Sequence, residues 1–356
     1  VDNAASAAFA SWTLDWSNVS VLLAALFIYV RGWLRGRTFI HDERDYTRLT
    51  AFCAGVAVLF LALDSPLDAF DSLFLSAHMA QHLLLMMLAP PLILLGKPFL
   101  PLLRGLPKTF VKEGLGPFLA WPVLKAIGSF LTAPPVAWLV FALNTVVWHL
   151  PFCYALALKS STWHGVQHAC FFWSGIVFWW PILERRAKWP EWIFIPYLLF
   201  ADLVNTGLSA FFVFSGKLLY PVYGMVRASN LSALDDQVLA GLIMWVPGSL
   251  IYLVPAFTLA MRVFAGKSNQ QAPRFERMRG AKPATFEWLT FVTRRRRWLQ
   301  GALLLVAVAV MWDGWFGQQV TPLNLAGTLP WIYWRGISIL ALLVVGNLFC
   351  MACPFV

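Results

Sequence analysis

Long apolar runs alternate with short polar and charged connections along all 356 residues of the chain. Nine runs are long enough to cross a bilayer, at about 17–33, 47–63, 73–95, 133–150, 165–183, 192–214, 236–262, 298–315 and 330–353. A spanning helix needs roughly 20 mainly apolar residues. The pattern therefore predicts an all-α, polytopic membrane protein of about nine transmembrane helices. Composition agrees, since 60% of residues are hydrophobic and only 12% charged, more apolar sequence than a soluble core needs. Nineteen Trp and 29 Phe suit interfacial belts and lipid-facing surfaces.

A net charge of +10 resembles a nucleic-acid signal until its distribution is read. Of the 27 Lys and Arg, 23 fall in alternate connections, on what becomes a single side of the membrane. These are the connections 31–48 (Arg31, Arg35, Arg37, Arg44, Arg48), 97–125 (Lys97, Arg104, Lys108, Lys112, Lys125), 185–188 and 262–297. Lys159, Lys217, Arg227 and Arg335 make up the remainder. By the positive-inside rule the N-terminus is expected outside and the C-terminus inside, in a bacterial cytoplasmic membrane. The basic excess is a topology signal, and no nucleic-acid partner is expected.

The pattern divides the chain into an outer segment (1–16), a seven-helix domain (17–264), a basic cytoplasmic linker (265–297) and a two-span appendage (298–356). Val1 stands where an initiator Met would, so sequence removed upstream is allowed for, yet residues 1–15 lack a signal peptide's basic start and apolar run. Cys53, Cys153, Cys170, Cys350 and Cys353 make no disulfide framework.

Five of the six histidines lie at the ends of apolar runs, as His78-x-x-x-His82, His149 and His164-x-x-x-His168. Imidazoles four apart share a helix face, and ionisable groups that persist inside a bilayer usually serve a pathway or ligand. With the orientation above, all five fall at one depth near the outer face. His41, among charges in the first inner connection, reads as solvated. Met79, Met86, Met87 and Met244 add thioethers at compatible depth. Imidazole with thioether suits copper, especially Cu(I), while zinc stays open because His alone satisfies it. A wet vestibule of imidazoles bonding one another is the bland alternative. Met86 and Met87 read as packing, and Met79 projects about 100° from the face of His78. Asp236 could orient a histidine by accepting its other N–H or serve as a helix N-terminal carboxylate with Ser232 as cap; Gln237 lies beside it. Asp202 and Asn205 are expected to face the bundle interior.

Several motifs together resemble the CtaG-like cytochrome c oxidase assembly family. They are His78-Met79-x-Gln81-His82 with Ala89-Pro90-Pro91, Trp148-His149-Leu150-Pro151, His164-x-x-Gln167-His168 with Phe178-Trp179-Trp180-Pro181, and Leu234-Asp235-Asp236-Gln237 through Met244-Trp245-x-Pro247-Gly248. The resemblance covers roughly 17–264. It implies a seven-helix, non-enzymatic assembly factor for a haem–copper oxidase, delivering copper and meeting oxidase subunits and copper donor proteins at the bilayer. On that basis His78, His82, His149, His164 and His168 are the expected metal ligands. Met79, Asp236, Gln237 and Met244 are expected as further ligands or as supports behind them.

The appendage departs from that pattern. Gly346-Asn347-x-Phe349-Cys350-Met351-Ala352-Cys353-Pro354 is similar to the membrane half of polyferredoxin-type proteins. Two thiolates can share one metal, but an iron–sulfur cluster usually wants four ligands, so the pair Cys350 and Cys353 would need partners outside this sequence. A redox or structural subunit of a larger respiratory complex is therefore the competing expectation. No nucleophile–base pair, phosphate-binding glycine loop or paired carboxylates mark hydrolase or transferase chemistry.

Overall fold

The computed structural model describes residues 11–36, 43–184, 189–225, 231–277 and 296–316. His41, Cys350, Cys353 and the segment 330–353 lie outside the described residues. Two compact units divide the chain, residues 1–270 and 271–356. In the second, the described residues are the last turns of the helix Ala233–Arg277 and the helix Arg296–Phe316.

The first unit is all helix among its described elements. Helices α1 (Trp16–Gly36), α2 (Tyr46–Phe70) and α3 (Leu75–Leu95) are each long and apolar enough to cross a membrane. Short α4 (Phe99–Gly105) follows, then a bent pair, α5 (Phe110–Ala120) and α6 (Pro122–Leu131). A second bent pair is α7 (Pro134–Trp148) and α8 (Pro151–Lys159), turned by 72°. Three more potential spans complete the unit, α9 (Ser161–Leu183), α10 (Glu191–Phe214) and α11 (Ala233–Val263). Among the described residues there are thus six straight spans, or eight if each bent pair counts as one. The connection 97–125 is helical rather than an open loop. Its apolar content suffices for short helices, but Pro107 and Pro122 interrupt it. The outward faces are lipid-like, with Val21, Leu23 and Phe27 on α1, and Leu199, Phe200 and Leu203 on α10, all exposed.

The packing around α3 decides where the histidines go. Pro90 and Pro91 lack N–H groups, so the normal bonds to the carbonyls of Met86 and Met87 cannot form. The helix widens there into a π turn, Leu84–Leu88, closed by the Ala89 amide on the Leu84 carbonyl. Helix α9 packs directly on this turn and the segment after it, and Gly175 makes the approach close. A Cβ added at Gly175 would lie 2.5 Å from the Met86 carbonyl oxygen. Small residues at such crossings let membrane helices meet backbone to backbone. At the far end of the pair, Lys97 Nζ donates to the Leu183 carbonyl at 3.0 Å and reaches Glu184 at 2.9 Å. Below the histidines the seam is aromatic, Phe178 stacking on Phe141 and Tyr197 with centroids 4.3 and 4.8 Å apart.

Helix α2 covers the other side of α3, and α10 packs against α7. Helix α11 meets α10 where Asn205 Nδ2 donates to the Met244 carbonyl at 3.0 Å.

Replacing Gly175 by Ala should force α3 and α9 apart and lower stability by about 1–3 kcal/mol. Gly165→Ala on the same helix, where an added Cβ meets nothing within 4 Å, should leave the protein unchanged. Apparent melting temperatures of the two variants in one detergent compare them directly, and equal values would show that the crossing tolerates a methyl group.

Candidate metal centre

Each histidine is positioned by a local sequence feature. Helix α3 begins at Leu75 after Phe74, whose side chain cannot cap. The missing acceptor comes from α11, where Asp236 takes the Leu75 amide at 2.6 Å and the Ser76 amide at 3.3 Å, and also bonds the Ser76 hydroxyl. That start sets His78 and His82 one turn apart on the buried face. Helix α7 stops because Leu150 precedes Pro151 and is driven into extended backbone. His149 is its last, half-helical residue, and its Nδ1 donates to the Thr145 carbonyl at 2.6 Å. A carbonyl only accepts, so the proton sits on Nδ1 and Nε2 carries a bare lone pair. His164 and His168 occupy the first turns of α9.

The five rings form one cluster. Ring centroids lie 4.2 Å apart for His78 and His82, 4.1 Å for His164 and His168, and 5.2 Å for His78 and His164. His82 lies 5.8 Å from His168 and 5.9 Å from His149. His78, His82, His149 and His168 are buried, whereas the His164 side chain keeps 21% exposure. Their nitrogens are largely unspent. Both nitrogens of His78, both of His82, and Nε2 of His149, His164 and His168 are buried without a hydrogen bond. The Gln167 amide beside them is also unpartnered. Buried polar atoms are paired in the great majority of proteins, so this many orphans around one point fit a ligand that accepts lone pairs.

Sequence reasoning missed Asp71, which closes the exposed end. Its Oδ2 lies 3.3 Å from His164 Nε2 and 3.9 Å from His78 Nδ1. The three side chains can hold a metal together, their ligand atoms all within 4.8 Å. Burial pushes the Asp71 carboxyl up to about 7, with nearby Asp68 adding to the effect. The signal in the sequence was the run Asp64, Asp68, Asp71 in the connection leading to His78, on the histidine side of the membrane. Tyrosines form the wall beside it. The Tyr223 hydroxyl donates to the Asp71 carbonyl at 2.8 Å, so the 2.9 Å bond between Tyr154 and Tyr223 carries the Tyr154 proton. Tyr154 lies against His78 at 5.0 Å and stacks on Tyr220 at 4.1 Å, and Tyr220 donates to the His149 carbonyl at 2.6 Å.

At the other end of the cluster, His82 and His149 border a cavity of about 20 Å³ that Met79, Met86, Met87 and Met244 also line. Met79 is three residues from His82 and leans to that ring's side, which reconciles it with a direction well away from His78. Met86 and Met87, adjacent in the π turn, both line the cavity.

Two other expected residues act differently from a histidine support. The oxygens of Asp236 cap α3, taking the Leu75 and Ser76 amides and the Ser76 hydroxyl. Gln237 is spent on the 215–219 connection, accepting from the Leu219 amide at 2.7 Å and donating to Ser215 and to the Lys217 carbonyl. Ser232 is the cap of α11, accepting the Asp235 amide at 3.1 Å.

The family model of the cytochrome c oxidase caa3 assembly factor matches residues 27–265. Uncharacterised proteins of Mycobacterium bovis and Mycobacterium tuberculosis are each 30% identical over 213 residues, covering 56% of this chain and 31% of the relative. One of Mycobacterium leprae is 26% identical over 286 residues, covering 76% of this chain and 42% of its own. The chain thus spans about a third of the length of the first curated relatives it matches. No solved structure matches it.

Losing the cap on α3 should cost stability as well as position. Asp236→Ala is expected to destabilise the protein by about 1–2 kcal/mol, and Asp236→Asn, which keeps one acceptor, by less. Thermal unfolding in detergent would rank the pair, and an Asp236→Ala protein as stable as the parent would remove the capping role.

Proposed function

The chain belongs to the cytochrome c oxidase caa3 assembly factor family, and from that premise we propose that it handles copper for a haem–copper oxidase. Its cargo site is the cluster of His78, His82, His149, His164 and His168, with Asp71 at the access end. Copper is cargo here rather than a resident cofactor. The observation that carries the proposal is the set of seven buried imidazole nitrogens that make no hydrogen bond, spread over all five rings, with His164 Nε2 facing the Asp71 carboxylate at 3.3 Å. Leaving a buried polar atom unpaired costs about 1–3 kcal/mol, and a borderline or soft cation coordinated by several of them removes that cost.

The donor set suits transfer more than storage. A closed thiolate cage holds a metal too tightly to pass on, and among the described residues the metal-capable group is Asp71, His78 and His164, with no thiolate in it. His164 is the partly exposed member, next to the Asp71 carboxylate, so a cation meets these two first. The tautomer of His149, fixed by Thr145, keeps its Nε2 available as a ligand, the support that a carbonyl commonly gives to metal-bound imidazole. Donation comes from a copper carrier and delivery goes to the oxidase's copper centre, both on the outer side by the charge distribution of the loops. The role is assembly, with no covalent chemistry of the protein's own.

The test is metal content and oxidase loading together. Detergent-purified protein is expected to bind copper, and His78→Ala/His168→Ala to lose it. In cells carrying that double variant, the oxidase should contain haem but little copper. An oxidase fully loaded with copper beside a folded, membrane-inserted variant would overturn the proposal.

A further inference from the structure

The small cavity at the inner end of the cluster differs in chemistry from the rest. Met86 and Met87 belong to one apolar core cluster, Met79 and Met244 to another, and the cavity lies where the two meet. Methionine commonly fills irregular gaps in cores. Packing alone would nevertheless close a gap among four flexible thioethers, and it would not explain why His82 and His149 border it with unpartnered nitrogens. The void, about 20 Å³, holds one monatomic or water-sized occupant. All four methionines are buried, and the residues behind them are fixed. Asn205 holds the Met244 carbonyl, and Thr145 holds the His149 ring.

We propose that this chamber is a second metal site, specific for a soft monovalent d10 cation, Cu(I) in the cell and Ag(I) as its redox-inert stand-in. It rests on the reading of the histidine cluster as a copper site and divides that cluster in two. At the access end, Asp71, His78 and His164 offer one carboxylate oxygen and imidazole nitrogens, a set that takes divalent borderline cations such as Cu(II) or Zn(II). At the inner end, His82 and His149 join Met79, Met86, Met87 and Met244, a set that hard cations avoid and Cu(I) prefers. His78 and His82, one turn apart on α3, connect the two.

The experiment compares Cu(I) binding and X-ray absorption of the full chain in detergent for wild type, Met86→Leu/Met244→Leu, and His164→Ala. Leucine conserves volume at a packed methionine, and size-exclusion profiles verify that each variant folds. Wild type should show sulfur and nitrogen scatterers around Cu(I). The methionine variant, left with Met79 and Met87, should show fewer sulfur scatterers around Cu(I) and bind it more weakly by about tenfold or more, while its Zn(II) binding is retained. His164→Ala should do the reverse. If wild-type Cu(I) shows nitrogen alone, or the methionine variant binds as wild type does, the chamber is packing and the inference falls, with the histidine reading intact. If wild type binds neither metal, both fall.

Discussion

Pro90 and Pro91 withhold two amide protons from the middle of α3, and within hydrocarbon the protein itself must deal with the carbonyls they leave. The π turn at Leu84–Leu88 is the local answer and Gly175 the tertiary one. Because a bare glycine faces Met86, α9 can lie close along α3, and the histidine doublets carried on these two helices meet. Two successive methionines of the same turn, Met86 and Met87, line the cavity beside His82. A backbone defect is thus what assembles the polar centre.

The helix is held at each end as well as at its crossing. Asp236 supplies the capping acceptor that Phe74 cannot, and Lys97 joins the opposite end to the last turn of α9. The helices that carry the histidines are thus held by contacts outside the cluster, and many imidazole nitrogens are left without a hydrogen bond. Preorganisation of that kind costs stability in the ligand-free protein and lowers the reorganisation needed when a cation arrives.

Donor type changes along the cluster, from the Asp71 carboxylate through stacked imidazoles to four thioethers. Hard and soft donors at the two ends give a cation different reasons to be in each place. Exposure changes in the same direction, since His164 reaches solvent and the chamber does not. The tyrosine wall of Tyr154, Tyr220 and Tyr223 ties α8, the 215–225 connection and the Asp71 turn together, so the access end is shaped by three separate stretches of chain.

Much of this was written in one dimension. Apolar runs of spanning length make helices wherever they fall, because a bilayer leaves the backbone no other way to satisfy itself. Spacing of four put His78 with His82 and His164 with His168 on shared faces, and Leu150-Pro151 marked the break that ends α7 at His149. Residues whose roles come from partners far along the chain were not legible. Asp236 lies 161 residues from the amide it caps, and nothing near it distinguishes a cap for another helix from a support for a histidine. Asp71 is an ordinary turn carboxylate until α9 brings His164 against it, and Met86 and Met87 read as packing until the fold places both in the lining of one cavity with His82 and His149. The sequence alone determined the helices and the faces on which the imidazoles stand, through local periodicity. Which imidazoles, carboxylate and thioethers share a site was decided only by how α3, α7, α9 and α11 cross, because coordination depends on distances of a few ångströms between residues far apart in the chain.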